Sequence, residues 1–324
     1  MTGHRPVYAD RGSGETGRVL LDLILDCDPG HDDAVALAVA AARGRLLGVT
    51  TVAGNVALEY TTRNALAIVQ MLGVDVEVHS GAATPLRGGS ADHATHVHGE
   101  HGLAGAVLPE VRRTVASRDA VGFLVDVTQR HRGAWIVATG PLTNVAHALQ
   151  RDPTLPERIA GISIMGGGTF GNVTAAAEFN IHFDPEAAEV VLGCGAPLVL
   201  CGLDLTHQLL VDESLVVRSR ALGNEFGAFC ADFLGGYLAN IRALTGDSRD
   251  AALHDPCAVL AITDPQLFGV EARHVVVETA GEHTRGMTIV DQRAWVRGGN
   301  VQWAQTIDAS AATDIILDAI AAAP

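Results

Sequence analysis

Four carboxylates fall within eight residues in the run Asp26-Cys27-Asp28-Pro29-Gly30-His31-Asp32-Asp33-Ala34. Helix capping accounts for one or two of them, since Asp is favoured at an N-cap and near the positive end of a helix dipole. It does not account for four. Like charges ~4 Å apart repel by about 4 kcal/mol per pair at an effective dielectric near 20, so something must neutralise them. No Lys or Arg lies nearby in sequence, and clustered carboxylates are hard oxygen donors suited to Ca²⁺ or Mg²⁺. The run is not an EF-hand loop, because the D-x-D-x-D-G spacing and the closing Glu are missing.

Other chemistry-bearing residues recur in separated segments. Gly54-Asn55 offers a turn and an amide that can bond a sugar or base. His93, His96, His98 and His101 lie within nine residues, but their irregular spacing and lack of a companion Cys argue against zinc. Thr139-Gly140-Pro141-Leu142-Thr143-Asn144 reads as a strand end leading into a helix. Met165-Gly166-Gly167-Gly168 is Gly-rich yet lacks the Lys-Ser/Thr of a phosphate loop. It leads on to Asn172, Glu178 and Asn180, groups that suit sugar hydroxyls. No Lys or Arg occurs between Ile162 and Leu200, which argues against a nucleotide ligand. His254-Asp255-Pro256-Cys257 closes the series at another helix start.

These segments need a frame. Short apolar runs at Leu20–Leu25, Leu47–Val52, Val76–His79, Trp135–Ala138, Ile159–Met165 and Leu198–Cys201 read as buried strands. Helical patterns at Asp33–Ala42, Leu58–Leu72, Ala120–Arg130, Asn144–Gln150 and Pro185–Leu192 alternate with them. A longer helix is expected over Leu222–Leu244, then a polar loop at Thr245–Ala251. Strands follow at Arg273–Glu278 and Met287–Val290, with a last helix after Ser310. The alternation implies a single α/β domain with a mostly parallel sheet flanked by helices. In such a sheet, ligands bind beyond the carboxyl ends of the strands, where the segments above fall.

The chain has 324 residues, 48% hydrophobic and 18% charged, enough for a substantial core. Its formal net charge of −15 argues against nucleic acid or an anionic membrane as partner. The longest apolar run, Ala34–Ala42, has nine residues, far short of the ~20 that span a bilayer. Residues 1–18 are polar and Gly-rich, without a secretory apolar segment, and are expected to form a mobile arm before a domain covering 19–324. Five cysteines without a CxxC pair fit reduced thiols in a cytoplasmic protein.

The Asp26–Ala34 run resembles the signature of the nucleoside hydrolases, N-ribohydrolases that carry Ca²⁺. It differs from the DxD motif of haloacid-dehalogenase phosphatases, which want Thr or Val where Gly30 stands. The Gly54-Asn55 turn, the His98-Gly99-x-x-Gly102-Leu103 loop, Gly140-Pro141-Leu142-Thr143-Asn144, the Met165-to-Asn180 segment and His254-Asp255 resemble family motifs in the same order. The likeness runs from about Leu20 to the C-terminus, and its wording is nearest to bacterial pyrimidine-preferring or broad-specificity members.

The resemblance implies a Rossmann-like nucleoside hydrolase fold and a homo-oligomer, dimer or tetramer. It implies Ca²⁺ held by Asp28, Asp33, Asp255 and the Thr143 carbonyl, with Asp28 as general base and His254 assisting base departure. Asp32, Asn55, His98, Met165, Asn172, Glu178 and Asn180 would contact a nucleoside. No tryptophan lies in the motif loops to stack a purine; Tyr237 is a candidate for facing the base or for a half-buried core position. A Mg²⁺ phosphatase of DxD type and a non-catalytic nucleoside-binding protein are the alternatives.

Overall fold

The strand after residue 20 is buried almost along its whole length, and that burial sets the architecture. The protein is described by a computed structural model covering residues 20–89, 93–246, 250–296 and 298–324. The expected arm at residues 1–18 lies outside the described residues, as do residues 247–249 of the polar loop.

The strands are β1 (Asp22–Cys27), β2 (Arg45–Thr51), β3 (Val78–Ser80), β4 (Trp135–Ala138), β5 (Gly161–Met165), β6 (Leu198–Cys201), β7 (Leu210–Val211), β8 (Ala251–Ala252), β9 (Phe268–Arg273), β10 (Val275–Val277), β11 (Thr288–Val290) and β12 (Val301–Ile307). The helices are α1 (His31–Arg43), α2 (Leu58–Met71), α3 (Thr95–His98), α4 (Ala120–Arg130), α5 (Thr143–Arg151), α6 (Phe179–Phe183), α7 (Pro185–Leu192), α8 (Leu203–Thr206), α9 (Glu213–Ala221), α10 (Glu225–Thr245), α11 (Pro256–Thr263) and α12 (Ala309–Ala321).

Eight strands form one sheet in the order β3-β2-β1-β4-β5-β6-β12-β9. All neighbours pair parallel except β12 with β9, which is antiparallel at the edge. Helices cover both faces, so the central strands read as continuous apolar runs rather than alternating ones. Along β1, Leu23 and Leu25 join the core shared with α1, α11 and α12, whereas Ile24 joins the core shared with α4, α5 and α7. The chain winds outward from β1 through β2 to β3, then returns to build β4, β5 and β6 on the other side. That reversal puts a topological switch point between the carboxyl ends of β1 and β4, where clefts form in open parallel sheets.

Several elements after α7 differ from the sequence expectation, each for a local reason. The long helix begins at Glu225 because the Asn224 side chain accepts from Gly227 N at 3.0 Å and caps it; α9 is a separate helix capped by Asp212. The strand expected over Arg273–Glu278 is interrupted at His274. Its first part belongs to β9, whose alternate residues are exposed, and its second pairs with β11 in a two-stranded hairpin. The sequence reading had no strand at Val301–Ile307, because Gln302, Gln305 and Thr306 dilute the apolar run.

Candidate active site

Asp28 leaves the end of β1 and is 1% exposed. Its Oδ2 accepts the backbone N–H of Asn55 at 2.7 Å, from the turn after β2. The Asn55 side chain reaches back, donating Nδ2 to the Asp28 carbonyl at 3.2 Å and standing 3.3 Å from Asp33 Oδ2. Asp33 lies in the first turn of α1, where its Oδ2 accepts from Gly30 N at 3.0 Å and its Oδ1 from the Thr139 hydroxyl at 2.8 Å. Capping is therefore part of what Asp33 does, and Thr139 brings the end of β4 into the same cluster.

Asp255 stands at the N-cap position of α11 but makes no side-chain capping bond. Its carboxyl instead meets that of Asp33, an approach two anions do not make without a proton or a cation between them. Oxygens of Asp32, Asp33 and Asp255 all lie within 4.8 Å of one another. The structure thus joins Asp32, which the sequence reading gave to ribose, to two residues of the expected metal set. Burial first, then the neighbouring acidic charges, pushes Asp28 and Asp255 well above the usual carboxylate range, and Asp32 and Asp33 also rise. The donors are hard oxygens, and no Lys or Arg bonds to any of these four carboxylates among the described residues. This is a set that a Ca²⁺-like cation fits.

The Thr143 hydroxyl donates to Asp184 Oδ2 at 2.6 Å, tying the start of α5 to the cap of α7. Asp26, two residues before Asp28, is fully buried and does not line the cavity. Its Oδ1 accepts from Thr50 at 2.6 Å and Asn144 at 2.8 Å, and burial raises its pKa to about 7.

Above the carboxylates opens a cavity of about 600 Å³, within the range of small-molecule sites. Asp32 and Asp255 contribute to its lining, whereas Asp28, Asp33 and Thr143 do not. One wall comes from the segment after β5. Asn180 donates Nδ2 to the carbonyls of Thr139 at 2.8 Å and Met165 at 3.2 Å, which fixes its Oδ1 as an acceptor. Glu178 spends Oε1 on Asn180 N, and Oε2 on Gly167 N and Ile181 N. It organises the glycine loop as well as lining the cavity. Asn172 is exposed at the mouth, with Oδ1 accepting from Phe179 N at 2.9 Å.

The facing wall is the Tyr237-Ile241-Leu244-Thr245 stripe of α10, at the i, i+4, i+7, i+8 spacing of one helix face, together with Val97 and His98. Tyr237 is not half-buried: it is fully enclosed, donates its hydroxyl to the Ala252 carbonyl at 2.9 Å, and still lines the cavity. His254 lies between the walls, its Nδ1 2.8 Å from the buried Thr206 hydroxyl. Burial, with His207 close by, holds its pKa down at about 3, so the ring is neutral.

Of the other histidines in the 93–101 tract, His96 and His101 are exposed. His93 is not simply solvated, since its Nδ1 bonds the Gly54 carbonyl at 2.7 Å. The sequence reading missed Thr206, Thr139 and His31. Thr206 follows β6, so strand-end inspection pointed there, but a lone Thr carries no pattern.

Among the described residues no Lys or Arg lines the cavity, and its charged residues Asp32, Glu178, Asp250 and Asp255 are all acidic. The cleft is built for a neutral, hydroxyl-rich ligand set on an acidic floor, in a sheet whose motifs match one enzyme class in order. The chain belongs to the nucleoside hydrolase family: the model described as "Inosine-uridine preferring nucleoside hydrolase" matches residues 23–314. It is accordingly a ribonucleoside N-ribohydrolase.

Among named relatives, it is 42% identical over 275 residues to the pyrimidine-specific ribonucleoside hydrolase RihA of Shewanella woodyi, covering 83% of this chain and 88% of that one. RihA of an Enterobacter species is 44% identical over 276 residues, covering 84% and 88%. Among solved structures, the purine-preferring ribonucleoside hydrolase of Gardnerella vaginalis superposes with a TM-score of 0.87 at 33% identity, covering 93% of this chain and 98% of that chain. A plant nucleoside hydrolase, PpNRh1, gives 0.84 at 31%, covering 93% and 98%.

Proposed function

We propose that the protein hydrolyses pyrimidine ribonucleosides, uridine or cytidine, to free base and ribose in a Ca²⁺-dependent reaction. The observation that carries this reading is the buried carboxylate cluster directly beneath a cavity with hydroxyl-binding amides and, among the described residues, no Lys or Arg. Asp28, Asp33, Asp255 and the Thr143 carbonyl would hold the cation, with Asp32 beside them. The chemistry a bound Ca²⁺ supplies is Lewis acidity toward water and vicinal hydroxyls.

Each protein group then has a task. Asp28 has Oδ2 held by Asn55 N–H, leaving Oδ1 to take the proton of the attacking water as general base. Asn180 offers a fixed acceptor to a ribose hydroxyl, and Asp32, Asn55, Asn172 and Glu178 complete the sugar contacts. His98 and Met165 flank the nucleoside. His254 acts as a neutral donor: with the Thr206 hydroxyl donating to Nδ1, its Nε2–H is free to bond the departing base and stabilise the charge developing there.

The pyrimidine assignment rests on the rings available. Those lining the cavity are Tyr237, Phe179 and four histidines. Trp135 and Trp303 lie in the core and Trp295 is 77% exposed, so no indole is placed to stack a purine. The relatives named pyrimidine-specific share 42–44% of residues over more than four-fifths of the chain. Residues 19–324 form the catalytic unit in this reading, cytoplasmic and homo-oligomeric, a dimer or a tetramer. The deciding assay is reducing-sugar release from uridine and inosine beside phosphate release from uridine monophosphate; phosphate release alone would indicate the phosphatase alternative.

A further inference from the structure

His31 is fully buried beneath the cavity wall and bonds with both ring nitrogens. Its Nε2 lies 3.1 Å from the Ala104 carbonyl, and its Nδ1 lies 3.0 Å from Nδ1 of His98. A carbonyl only accepts, so His31 must carry its proton on Nε2. The neutral ring then has a bare lone pair at Nδ1, and His98 must supply the proton in the Nδ1–Nδ1 contact. In the reverse arrangement, His31 Nε2 and the Ala104 oxygen would face each other as two lone pairs.

The ring geometry supports a true hydrogen bond. With nitrogens 3.0 Å apart, centroids 5.0 Å apart and planes at 23°, the two imidazoles meet edge to edge in nearly one plane. Tyr237 lies nearly parallel to both, its centroid 5.1 Å from His31 and 6.0 Å from His98. Gly30 leaves the room: a Cβ there would fall 2.6 Å from His98 Nδ1. The backbone N–H of His31 also approaches that atom, but at 3.5 Å.

We infer that His31 is a positioning residue that locks His98 in the Nδ1–H tautomer, so that His98 presents a bare Nε2 as a hydrogen-bond acceptor in the nucleoside cavity. His98 then accepts from a donor on the nucleoside, a ribose hydroxyl or a base N–H, and is not an acid. This rests on the reading of His98 as a nucleoside contact; the relay from the Ala104 carbonyl through His31 does not.

Nitrogen-15 NMR of histidine-labelled protein tests the tautomer directly, with the His98 signals assigned from the His98→Gln spectrum. A protonated Nδ1 and unprotonated Nε2 on His98 are expected; an unprotonated Nδ1 overturns the inference without needing any variant to fold. Kinetics test its consequence. His31→Phe keeps the flat ring but loses the acceptor, and kcat/KM on uridine is expected to fall about tenfold or more. His31→Asn loses the ring but can place Oδ1 near the lost Nδ1, and is expected to stay within about threefold of wild type. The opposite ranking, Phe active and Asn impaired, would show that His31 merely packs. If His98→Gln leaves kcat/KM unchanged while the NMR result holds, the tautomer lock stands and the nucleoside contact falls.

Discussion

Gly54 lies so close to Asp28 that a Cβ on it would sit 2.0 Å from Oδ2, while a Cβ on Gly140 would sit 2.4 Å from Oδ1. The carboxylate at the end of β1 is therefore clasped by bare backbone from the turns after β2 and β4. Three strand ends converge on one side chain, and only glycine allows the approach.

Gly54→Ala is accordingly expected to displace the Asp28 carboxylate rather than unfold the protein. Overpacking of this kind costs about 1–3 kcal/mol, so the melting temperature should fall by several degrees at most. The kcat on uridine should fall by about 10² or more, as for direct loss of a general base. Kinetics and a thermal melt on the same preparation check it; wild-type turnover would show that Asp28 needs no fixed position.

Metal dependence should appear as a pH-dependent gap in stability. Burial holds Asp26 at about 7 and pushes Asp28, Asp32, Asp33 and Asp255 up from the ordinary 3.8 of an aspartate. A carboxyl whose folded pKa is raised contributes stability that is full below the unfolded pKa and lost as pH rises through the folded one. Buried His31, at about 4, and His254, at about 3, run the other way: their contribution is full above 6.5 and lost as pH falls toward those values. Between about pH 6.5 and about pH 8 only the carboxylates act. In EDTA the melting temperature should decline across that window. Millimolar Ca²⁺ should abolish the decline, because metal binding is favoured as ligands deprotonate. Equal melting temperatures at pH 8 with and without Ca²⁺ would remove the cation from this site.

Substrate discrimination follows from the lining. Uridine or cytidine should show higher kcat/KM than inosine. Uridine monophosphate should be a poor substrate, because the described lining offers its phosphate Asp32, Glu178, Asp250 and Asp255 and no Lys or Arg. The 2′- or 3′-deoxy analogues should lose about 10² or more, because the amides set to bond ribose would be left unpaired. A parallel kinetic series on these compounds decides it, and a clear purine preference would overturn the base assignment while leaving the enzyme class intact.

What the sequence made legible was governed by clustering. Asp28, Asp32 and Asp33 were visible because adjacent like charges demand an explanation; Asp255, at a helix start, reads from its own residues as a cap, and only the family resemblance of His254-Asp255 pointed to a metal role. β4, β6, α4 and α7 were drawn to the residue because each is a buried run with clear stops. The rest depends on distance in sequence. His31 meets His98 across 67 residues and Thr206 meets His254 across 48, and neither partner stands out by type or spacing. β12 was invisible because its inward residues alternate with glutamines, a pattern that only the β6 and β9 neighbours turn into a strand.

The sharpest test is Asp28→Asn, with Asp26→Asn beside it. At position 28 the change keeps size and one acceptor oxygen for Asn55 N–H, but removes the proton acceptor and one negative charge from the floor. General-base loss typically costs about 10²–10⁴ in rate, roughly 3–5 kcal/mol of barrier. The circular dichroism spectrum should be unchanged, since Asp28 supports no helix cap, while kcat falls at least ~10². At position 26 the structure predicts a different result. Burial already raises that carboxyl to about 7, so a neutral group is tolerated there, and an Asn oxygen can still accept from Thr50 and Asn144. Its one new demand is a buried N–H where Asp26 Oδ2 has no hydrogen-bond partner. An unpaired buried donor costs about 1–3 kcal/mol of stability, not of catalysis, so Asp26→Asn should lower the melting temperature while holding kcat within about tenfold. If Asp28→Asn retains more than about a tenth of wild-type kcat, less than one 1.4 kcal/mol step, Asp28 is not the base. The next residue to test as the proton acceptor is then Asp32, one of the four acidic residues that line the cavity.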